Sequence, residues 1–488
     1  MAIYSFSNFG YEGCLIKIEV DLRHGIPATD IVGLADGYVK ECRERIQCAI
    51  RRSGLEYPGE RVLISLSPAD LKKEGAEFDL PIALGILQKN FTENVLIMGA
   101  LELSGAIRPV RGVHASCTAA LASGIQYAIV PMENMNEALE SGIKAIGCAT
   151  LSDAYKLSDN LSIRKFESVD KYDNTISFRE PEEKLSIEMT EKEMLALVVG
   201  ASGRFNMMFT GSPGCGKTML MQYMQYLTPS LTEEESKSVK RIYSLAGLSL
   251  KDENRTYPPF RIPHQTASIE GICGGGPNCR PGEITLAHNG VLFLDEAAEF
   301  RSSVLQMLRV PLENKSITLS RAGRTTVYPA NFQLLMACNP CPCGNLGSKD
   351  KICLCSEKSV EQYWKKISAP LLDRVPIKIH IDPEKGERKE YSLEELQTYV
   401  MTATVESRKL GKKFSELTPN EVEDIIPPEI LTVFTIAMAD KDWSIRKRNN
   451  ALKVWLTIRA IFGDDKINYE SYTKQTMMLF CDTLYDLM

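Results

Sequence analysis

Phe205-Asn-Met-Met-Phe-Thr-Gly211-Ser212-Pro213-Gly214-Cys215-Gly216-Lys217-Thr218 runs directly into Met219-Leu-Met-Gln-Tyr-Met-Gln-Tyr226. A short apolar run, a glycine-rich loop ending in Lys-Thr, and a helical run follow one another without a gap. That order predicts a buried strand, a phosphate-cradling loop and a helix N-terminus. The glycines let backbone N–H groups turn toward phosphate oxygens, and the helix start adds the positive end of its dipole. Residues 211–218 are therefore expected to bind ATP, with Lys217 reaching the β- and γ-phosphates and the Thr218 hydroxyl ligating Mg²⁺.

Outward from this loop, Gly290-Val-Leu-Phe-Leu-Asp295-Glu296 is an apolar strand that ends in two carboxylates. Asp295 is placed to hold Mg²⁺ through its water shell, and Glu296 to polarise the attacking water. Such a pair favours hydrolysis over mere binding. Phe332-Gln-Leu-Leu-Met-Ala-Cys338-Asn339 is a further strand with a polar end. Asn339 either contacts the γ-phosphate and lytic water from the neighbouring strand or only shapes the turn before Pro340.

Strands and helices alternate from 187 to 385, and this βαβ rhythm predicts an α/β fold with a parallel, doubly wound sheet. Residues 1–165 alternate as well. Cys14–Val20 and Arg61–Leu66 read as half-buried strands, and Ala35–Ser53 as a helix with Val39, Cys42, Ile46 and Ile50 on one face. Gly54 stands where a helix C′ residue belongs, and Leu80–Leu87 reads as a second, apolar helix. Residues 166–186 are polar, charged and weakly periodic, the composition of a linker. Residues 386–488 read as helical, with segments at Leu393–Leu410, Pro428–Ala439, Arg446–Phe462 and Tyr469–Leu487.

Composition narrows the function further. At 488 residues the chain is too long for one core, and its net charge of −6 means that nucleic-acid binding must come from local basic patches. The first ten residues lack the features of a signal peptide, and no apolar run reaches the length that crosses a bilayer. The expected compartment is the cytoplasm, with no membrane partner. Fourteen cysteines in that setting imply reduced thiols. Cys48, Cys117 and Cys148 read as small buried hydrophobes. Cys341, Cys343, Cys353 and Cys355 form two Cys-x-Cys pairs that can enclose tetrahedral Zn²⁺, the alternative being reduced loop thiols.

Further strings extend these motifs: Ile31-Val-Gly-Leu34, Val39-Lys-Glu-Cys-Arg-Glu-Arg45, Pro68-Ala-Asp-Leu-Lys-Lys-Glu-Gly75, Phe78-Asp-Leu-Pro-Ile-Ala-Leu84, Arg280-Pro-Gly-Glu-Ile-Thr-Leu-Ala-His-Asn-Gly290 and Pro370-Leu-Leu-Asp-Arg374. With them the sequence resembles, over nearly its whole length, the ComM/YifB proteins, bacterial AAA+ ATPases of the magnesium-chelatase-like group. The resemblance implies an N-terminal ribosomal-S5/Lon-like α/β domain, an AAA+ P-loop core carrying the Cys-x-Cys insertion, and a C-terminal helical lid. It implies a homohexameric ring that acts on single-stranded or branched DNA as a branch-migration helicase in natural transformation. Arg374 then matches the arginine finger that reaches a neighbour's γ-phosphate, and Arg446 matches the sensor-2 arginine of the lid.

The serine and lysine of the Lon-type proteolytic site would fall near Glu77 and His114, so a non-proteolytic module is expected at the N-terminus. Pro263-His264-Gln265-Thr266 departs from the family's Pro-His-His-Thr. The hairpin-like Lys315-Ser-Ile-Thr-Leu-Ser-Arg321-Ala-Gly-Arg324 lies where the family places a pore loop. Six copies around a ring would form a basic collar able to track phosphates, the alternative being a solvated hairpin. Gly274-Gly-Gly276 reads either as pore-lining flexibility or as a turn. Two other functions fit the nucleotide motifs: an ATP-driven remodeller of protein or cofactor complexes, and a nucleotide-switched scaffold.

Overall fold

A computed structural model describes residues 2–33, 37–69, 73, 75–166, 172–248, 256–321, 324–347, 351–382, 384–441 and 443–480. Apolar alternation in Cys14–Arg23 and Arg61–Ser67 pairs these strands antiparallel, with Ile18 opposite Leu66 and Leu22 opposite Val62. Because side chains alternate between faces, Ile16, Ile18, Val62, Ile64 and Leu66 all enter one core. They belong to a seven-stranded mixed sheet, ordered Thr29–Val32, Arg61–Ser67, Cys14–Arg23, Ile3–Ser7, Val95–Ile97, Tyr127–Pro131, Lys144–Cys148.

Helix Gly37–Arg52 covers this sheet with Cys42, Ile46, Ala49 and Ile50 buried. It ends at Gly54, whose φ of 73° is the left-handed conformation that glycine adopts freely. Residues 35 and 36 and the Val39 side chain lie outside the described part. Cys117 and Cys148 are buried, but Cys48 is only half-buried. It stands two residues from Ile46, about 200° round the helix from the core face. Helix Asp79–Ile86 is buried on nearly every side. Its Asp79 carboxylate accepts from Arg45 Nε at 2.8 Å, Arg45 Nη2 at 2.9 Å and the Leu101 N–H at 3.1 Å, which joins two of the family-like strings through a buried ion pair.

The second sheet has five strands, all parallel, ordered Phe260–Arg261, Val291–Leu294, Gln333–Cys338, Met207–Thr210, Ile377–His380. Every residue of Val291–Leu294, Gln333–Cys338 and Met207–Thr210 is buried, as a parallel sheet covered on both faces requires. Asn206 pins three strand starts. Its side chain donates to the Arg374 carbonyl at 2.8 Å and accepts from the Leu334 N–H at 2.8 Å.

Residues 172–185 have no regular structure yet are tied down. The Tyr172 hydroxyl donates to the Leu231 carbonyl at 2.9 Å, and the Ser177 N–H donates to Ser230 Oγ at 3.1 Å. Ser186–Thr190 then pairs antiparallel with Arg388–Ser392, so a strand opens the region expected to be helical. Ser392 caps the next helix by accepting from the Glu395 N–H. Helices Leu393–Leu410, Pro419–Ile425, Pro428–Asp440, Ile445–Phe462 and Tyr469–Phe480 follow. The expected continuation to Leu487 lies outside the described residues.

The N-terminal sheet docks on the nucleotide-motif region through Tyr11. The Tyr11 N–H donates to Thr326 Oγ1 at 2.9 Å, and its carbonyl accepts from Arg241 Nη2 at 2.9 Å. The Arg241 guanidinium also lies over the Tyr11 ring, 4.3 Å from its centroid.

Candidate nucleotide site and associated clusters

Strand Met207–Thr210 delivers the chain into the loop at the carboxyl edge of the sheet, and helix Lys217–Leu227 leaves it. Gly214 and Gly216 have φ of 84° and 92°, conformations that residues with a Cβ rarely adopt. At Gly211 a Cβ would lie 2.6 Å from the Ile381 carbonyl oxygen. The helix N-cap is Gly216, with no side-chain cap, so its first N–H groups remain directed into the loop. Lys217 Nζ is buried and donates to the Gly211 and Ser212 carbonyls, each at 2.7 Å. The ammonium thus lies across the loop that the sequence assigns to phosphate.

The Thr218 hydroxyl donates to Asp295, 3.1 and 3.2 Å from the two carboxylate oxygens. A hydroxyl and a carboxylate in contact at a strand end are a fitting donor pair for a hard cation such as Mg²⁺. Glu296 is exposed, with φ 50° and ψ 48°, the left-handed region. Its N–H donates to Asp295 Oδ1 at 3.0 Å. Strand Gln333–Cys338 lies between the Asp295 strand and the loop strand, so Asn339 emerges between the acidic pair and the loop. Burial pushes the neighbouring Cys338 thiol up to about 12, keeping it protonated and inert.

The four loop cysteines converge. Cys341 Sγ is 3.4 Å from Cys343 Sγ and 3.7 Å from Cys353 Sγ, and all four sulfurs lie within 4.8 Å of one another. Zn–S bonds of about 2.3 Å in a tetrahedron place sulfurs roughly 3.8 Å apart, so the cluster fits Zn²⁺. The Asn345 N–H and then the Cys341 thiol draw the Cys343 thiol down to about 6. Trp364 Nε1 anchors the start of the segment by donating to the Pro340 carbonyl at 3.0 Å. Residues 348–350, between the cysteine pairs, lie outside the described part.

Arg374 and Arg446 come together, but away from the loop. Arg374 donates to the Pro370 carbonyl at 2.6 Å and pairs with Glu313. Arg446 pairs with Asp373 at 2.8 Å and with Glu313 at 3.3 Å. Arg374 precedes strand Ile377–His380 and touches Asn206, so both guanidiniums stand at the amino ends of strands whose carboxyl ends carry the nucleotide loop. Strand length alone separates them from that loop by over about 10 Å. The two arginines hold the Glu313 carboxyl below its ordinary range, Arg374 more strongly.

Strands Ser316–Arg321 and Arg324–Pro329 form the expected hairpin, with Arg321 opposite Arg324 at the tip. Residues 322–323 and the Arg324 side chain lie outside the described part. Arg321 is exposed and 3.9 Å from Glu270. Lys315 does not join the tip. It ends the preceding helix with φ 53°, and its ammonium pairs with Glu416. Gly274–Gly275 pairs with Arg280–Pro281 in a turn, and a Cβ on Gly274 would lie 3.1 Å from Leu319 of the hairpin.

Glu77 is half-buried. His114 is buried, neither ring nitrogen has a hydrogen-bond partner, and burial lowers its pKa to about 4. His264 Nδ1 lies 2.8 Å from Thr266 Oγ1 in a local turn, so its ring is engaged without a second histidine.

Two features lay beyond sequence reasoning. Glu313 gathers both arginines from a helix with no motif. Gly344 presses on Pro213: a Cβ there would lie 2.5 Å from Pro213 Cγ. The only sequence signal for that contact is a glycine beside Cys343.

A five-stranded parallel sheet with a glycine loop, an Asp-Glu strand end and a helical C-terminal region defines an AAA+ ATPase of the magnesium-chelatase-like kind. Family models agree: one described as "Magnesium chelatase, subunit ChlI" matches residues 185–389, and one described as "Subunit ChlI of Mg-chelatase" matches residues 18–134. The chain is 33% identical to competence protein ComM of Haemophilus influenzae over 95% of its own length and 94% of that protein. It is 36% identical to YifB of Escherichia coli over 78% of this chain and 75% of that one. A shorter stretch, 31% of this chain and 19% of the relative, is 26% identical to the DNA replication licensing factor mcm7 of Schizosaccharomyces pombe. The chain belongs to the ComM/YifB family of magnesium-chelatase-like AAA+ proteins.

Proposed function

We propose that this chain is the subunit of a homohexameric, ATP-driven DNA translocase that migrates branched or single-stranded DNA, the activity of a helicase in transformation or recombination. One observation supports the ring: Arg374 and Arg446 stand at the sheet edge remote from their own nucleotide loop, where the ATP their guanidiniums would reach is a neighbour's. Two relatives named for competence and for DNA replication favour DNA as the track.

In this reading Lys217 leaves the Gly211 and Ser212 carbonyls for the β- and γ-phosphates, and the loop N–H groups of residues 211–218 cradle the rest. Thr218 and Asp295 would hold Mg²⁺, which would supply positive charge to offset that of the phosphates. Glu296 accepts a proton from the attacking water, and Asn339 orients that water. Arg374, assisted by Arg446, stabilises the charge that grows on the transferring phosphoryl group of the adjacent subunit. Cys341, Cys343, Cys353 and Cys355 would hold a structural Zn²⁺.

The chain divides in the same reading into a non-proteolytic module (1–165), a connecting strap (166–186), the ATPase core (187–385) and a lid (386–488). Arg321 and Arg324 would line the pore as DNA contacts, with Lys315 bracing the hairpin base through Glu416.

The test is ATPase and DNA binding with forked DNA across a salt series. Arg321→Ala with Arg324→Ala is expected to leave basal ATPase intact. It should weaken DNA binding and reduce the salt slope by about one unit per lost phosphate contact. Unchanged DNA binding and strand movement would remove the hairpin from the DNA path. ATP turnover indifferent to any DNA would favour a remodeller of protein or cofactor complexes, which the chelatase-subunit match also suits.

A further inference from the structure

We infer that the four-cysteine cluster is a clamp on the nucleotide loop, so that zinc in the cluster strengthens nucleotide binding and its removal weakens it. This rests on the reading of the cluster as a zinc site.

The contact is direct. Gly344 follows Cys343, has φ 78°, and lies so close to the loop that a Cβ would stand 2.5 Å from Pro213 Cγ and 2.7 Å from Cδ. Pro213 follows the two residues whose carbonyls hold Lys217 in place. The cysteine segment therefore forms one wall of the phosphate loop.

Among the described residues, few bonds fix that wall. Upstream, Trp364 Nε1 holds the Pro340 carbonyl. Within the segment, the Gly344 N–H donates to the Cys341 carbonyl at 2.9 Å, and the Leu346 N–H points at Cys341 Sγ at 3.4 Å. Neither Cys341–Gly347 nor Lys351–Cys355 forms a helix or a strand. Among the described residues, the two halves of the segment meet at the sulfur cluster, which joins Cys341 and Cys343 to Cys353 and Cys355.

Zinc bound by four thiolates would lock Cys343, and with it the adjacent Gly344, against Pro213. The thiol protons leave to solvent on metal binding and no redox step is involved. A loop already held by its wall loses less freedom when phosphates arrive, so nucleotide binds more tightly. Linkage makes the effect mutual: bound nucleotide must raise the affinity for zinc by the same factor. Coupling between two sites in contact is typically about 5- to 150-fold.

The experiment uses the full chain, purified without chelators and with a thiol reductant. Zinc is counted by elemental analysis, and a fluorescent ATP analogue is titrated before and after stripping with a zinc-selective chelator that spares Mg²⁺. About one zinc per chain is expected, with analogue affinity falling at least about 5-fold on stripping and recovering on zinc addition. Pro213→Ala, which removes the ring that Gly344 meets, should keep its zinc and lose the zinc dependence of analogue affinity. Gly344→Ala should also keep zinc while binding the analogue more weakly.

If native and Pro213→Ala proteins both carry zinc and both bind the analogue equally with and without it, the clamp is overturned and the zinc site stands. If the native protein carries no zinc and takes none up, the zinc reading fails and the clamp falls with it.

Discussion

Glu296 adopts φ 50° and ψ 48°, a conformation that costs an L-residue with a long side chain about 1–2 kcal/mol. Asparagine occupies that region more readily, and removing the charge beside Asp295 also relieves like-charge repulsion. Glu296→Asn should therefore stabilise the ATPase core by about 1 kcal/mol, a rise in Tm of roughly 2–4 °C for a region of this size. The same change removes the group assigned to the attacking water, so turnover should fall by about 10²- to 10⁴-fold. Glu296→Gln separates the two effects, because it keeps the backbone cost and the side-chain length. It also loses the charge, so it should melt between the parent and the asparagine variant, hold ATP and hydrolyse it no faster than the asparagine variant. Calorimetry and a phosphate-release assay on the three proteins decide the matter. If Asn and Gln melt together, the left-handed backbone stores no strain. If either variant hydrolyses ATP at the parental rate, Glu296 does not activate the water.

Two further outcomes follow from the same geometry. Burial lowers the pKa of His114 and of His288 to about 4 in the folded chain, below the unfolded value near 6.5. The unfolded chain then binds more protons between those values, so stability is level above about pH 6.5 and declines as pH falls toward 4, by at most about 3 kcal/mol per imidazole. His114→Gln should flatten the fall in urea midpoint between pH 7 and pH 4.5, and an unchanged slope would exclude this imidazole as a source. For the ring, mixing Arg374→Ala subunits with Glu296→Gln subunits, each inactive alone, should restore part of the ATPase, since some boundaries receive Glu296 from one subunit and Arg374 from the next. Mixtures no more active than their components would place Arg374 outside the neighbour's site.

The nucleotide residues were legible because the chemistry is local in sequence. A loop of eight residues must supply both glycine backbone freedom and the Lys-Thr pair, and an apolar strand must end at Asp295-Glu296. Their convergence follows from any parallel sheet that sets those strand ends on one edge. Ser186–Thr190 and Arg388–Ser392 were illegible for the opposite reason. They pair across some 200 residues; Ile187 and Met189 do alternate inward, but the run is only five residues long and its partner Arg388-Lys-Glu-Tyr-Ser392 carries no apolar alternation. The Cys48 misplacement has a similar origin: its neighbours are apolar, but its angle on the helix is not that of Cys42 and Ile46.

Glu313 joins Arg374 and Arg446 although they lie 72 residues apart in different regions of the chain. An arginine awaiting a neighbour's phosphate needs an anionic partner meanwhile, since an unpaired, mostly buried guanidinium is costly. Arg374 is only 14% exposed, and Glu313 provides that partner. The same carboxylate reaches Arg446, which also binds Asp373, so the residue before Arg374 in the chain ties helix Ile445–Phe462 to the Arg374 segment. When a phosphate displaces Glu313 from Arg374, the second arginine loses a shared anion at the same moment. In the proposed ring, the helix of Arg446 and the Arg374 side chain would then respond together to the nucleotide next door. If the chain assembles as proposed, two arginines and one carboxylate would suffice to pass information across each boundary, with no need for a separate coupling element.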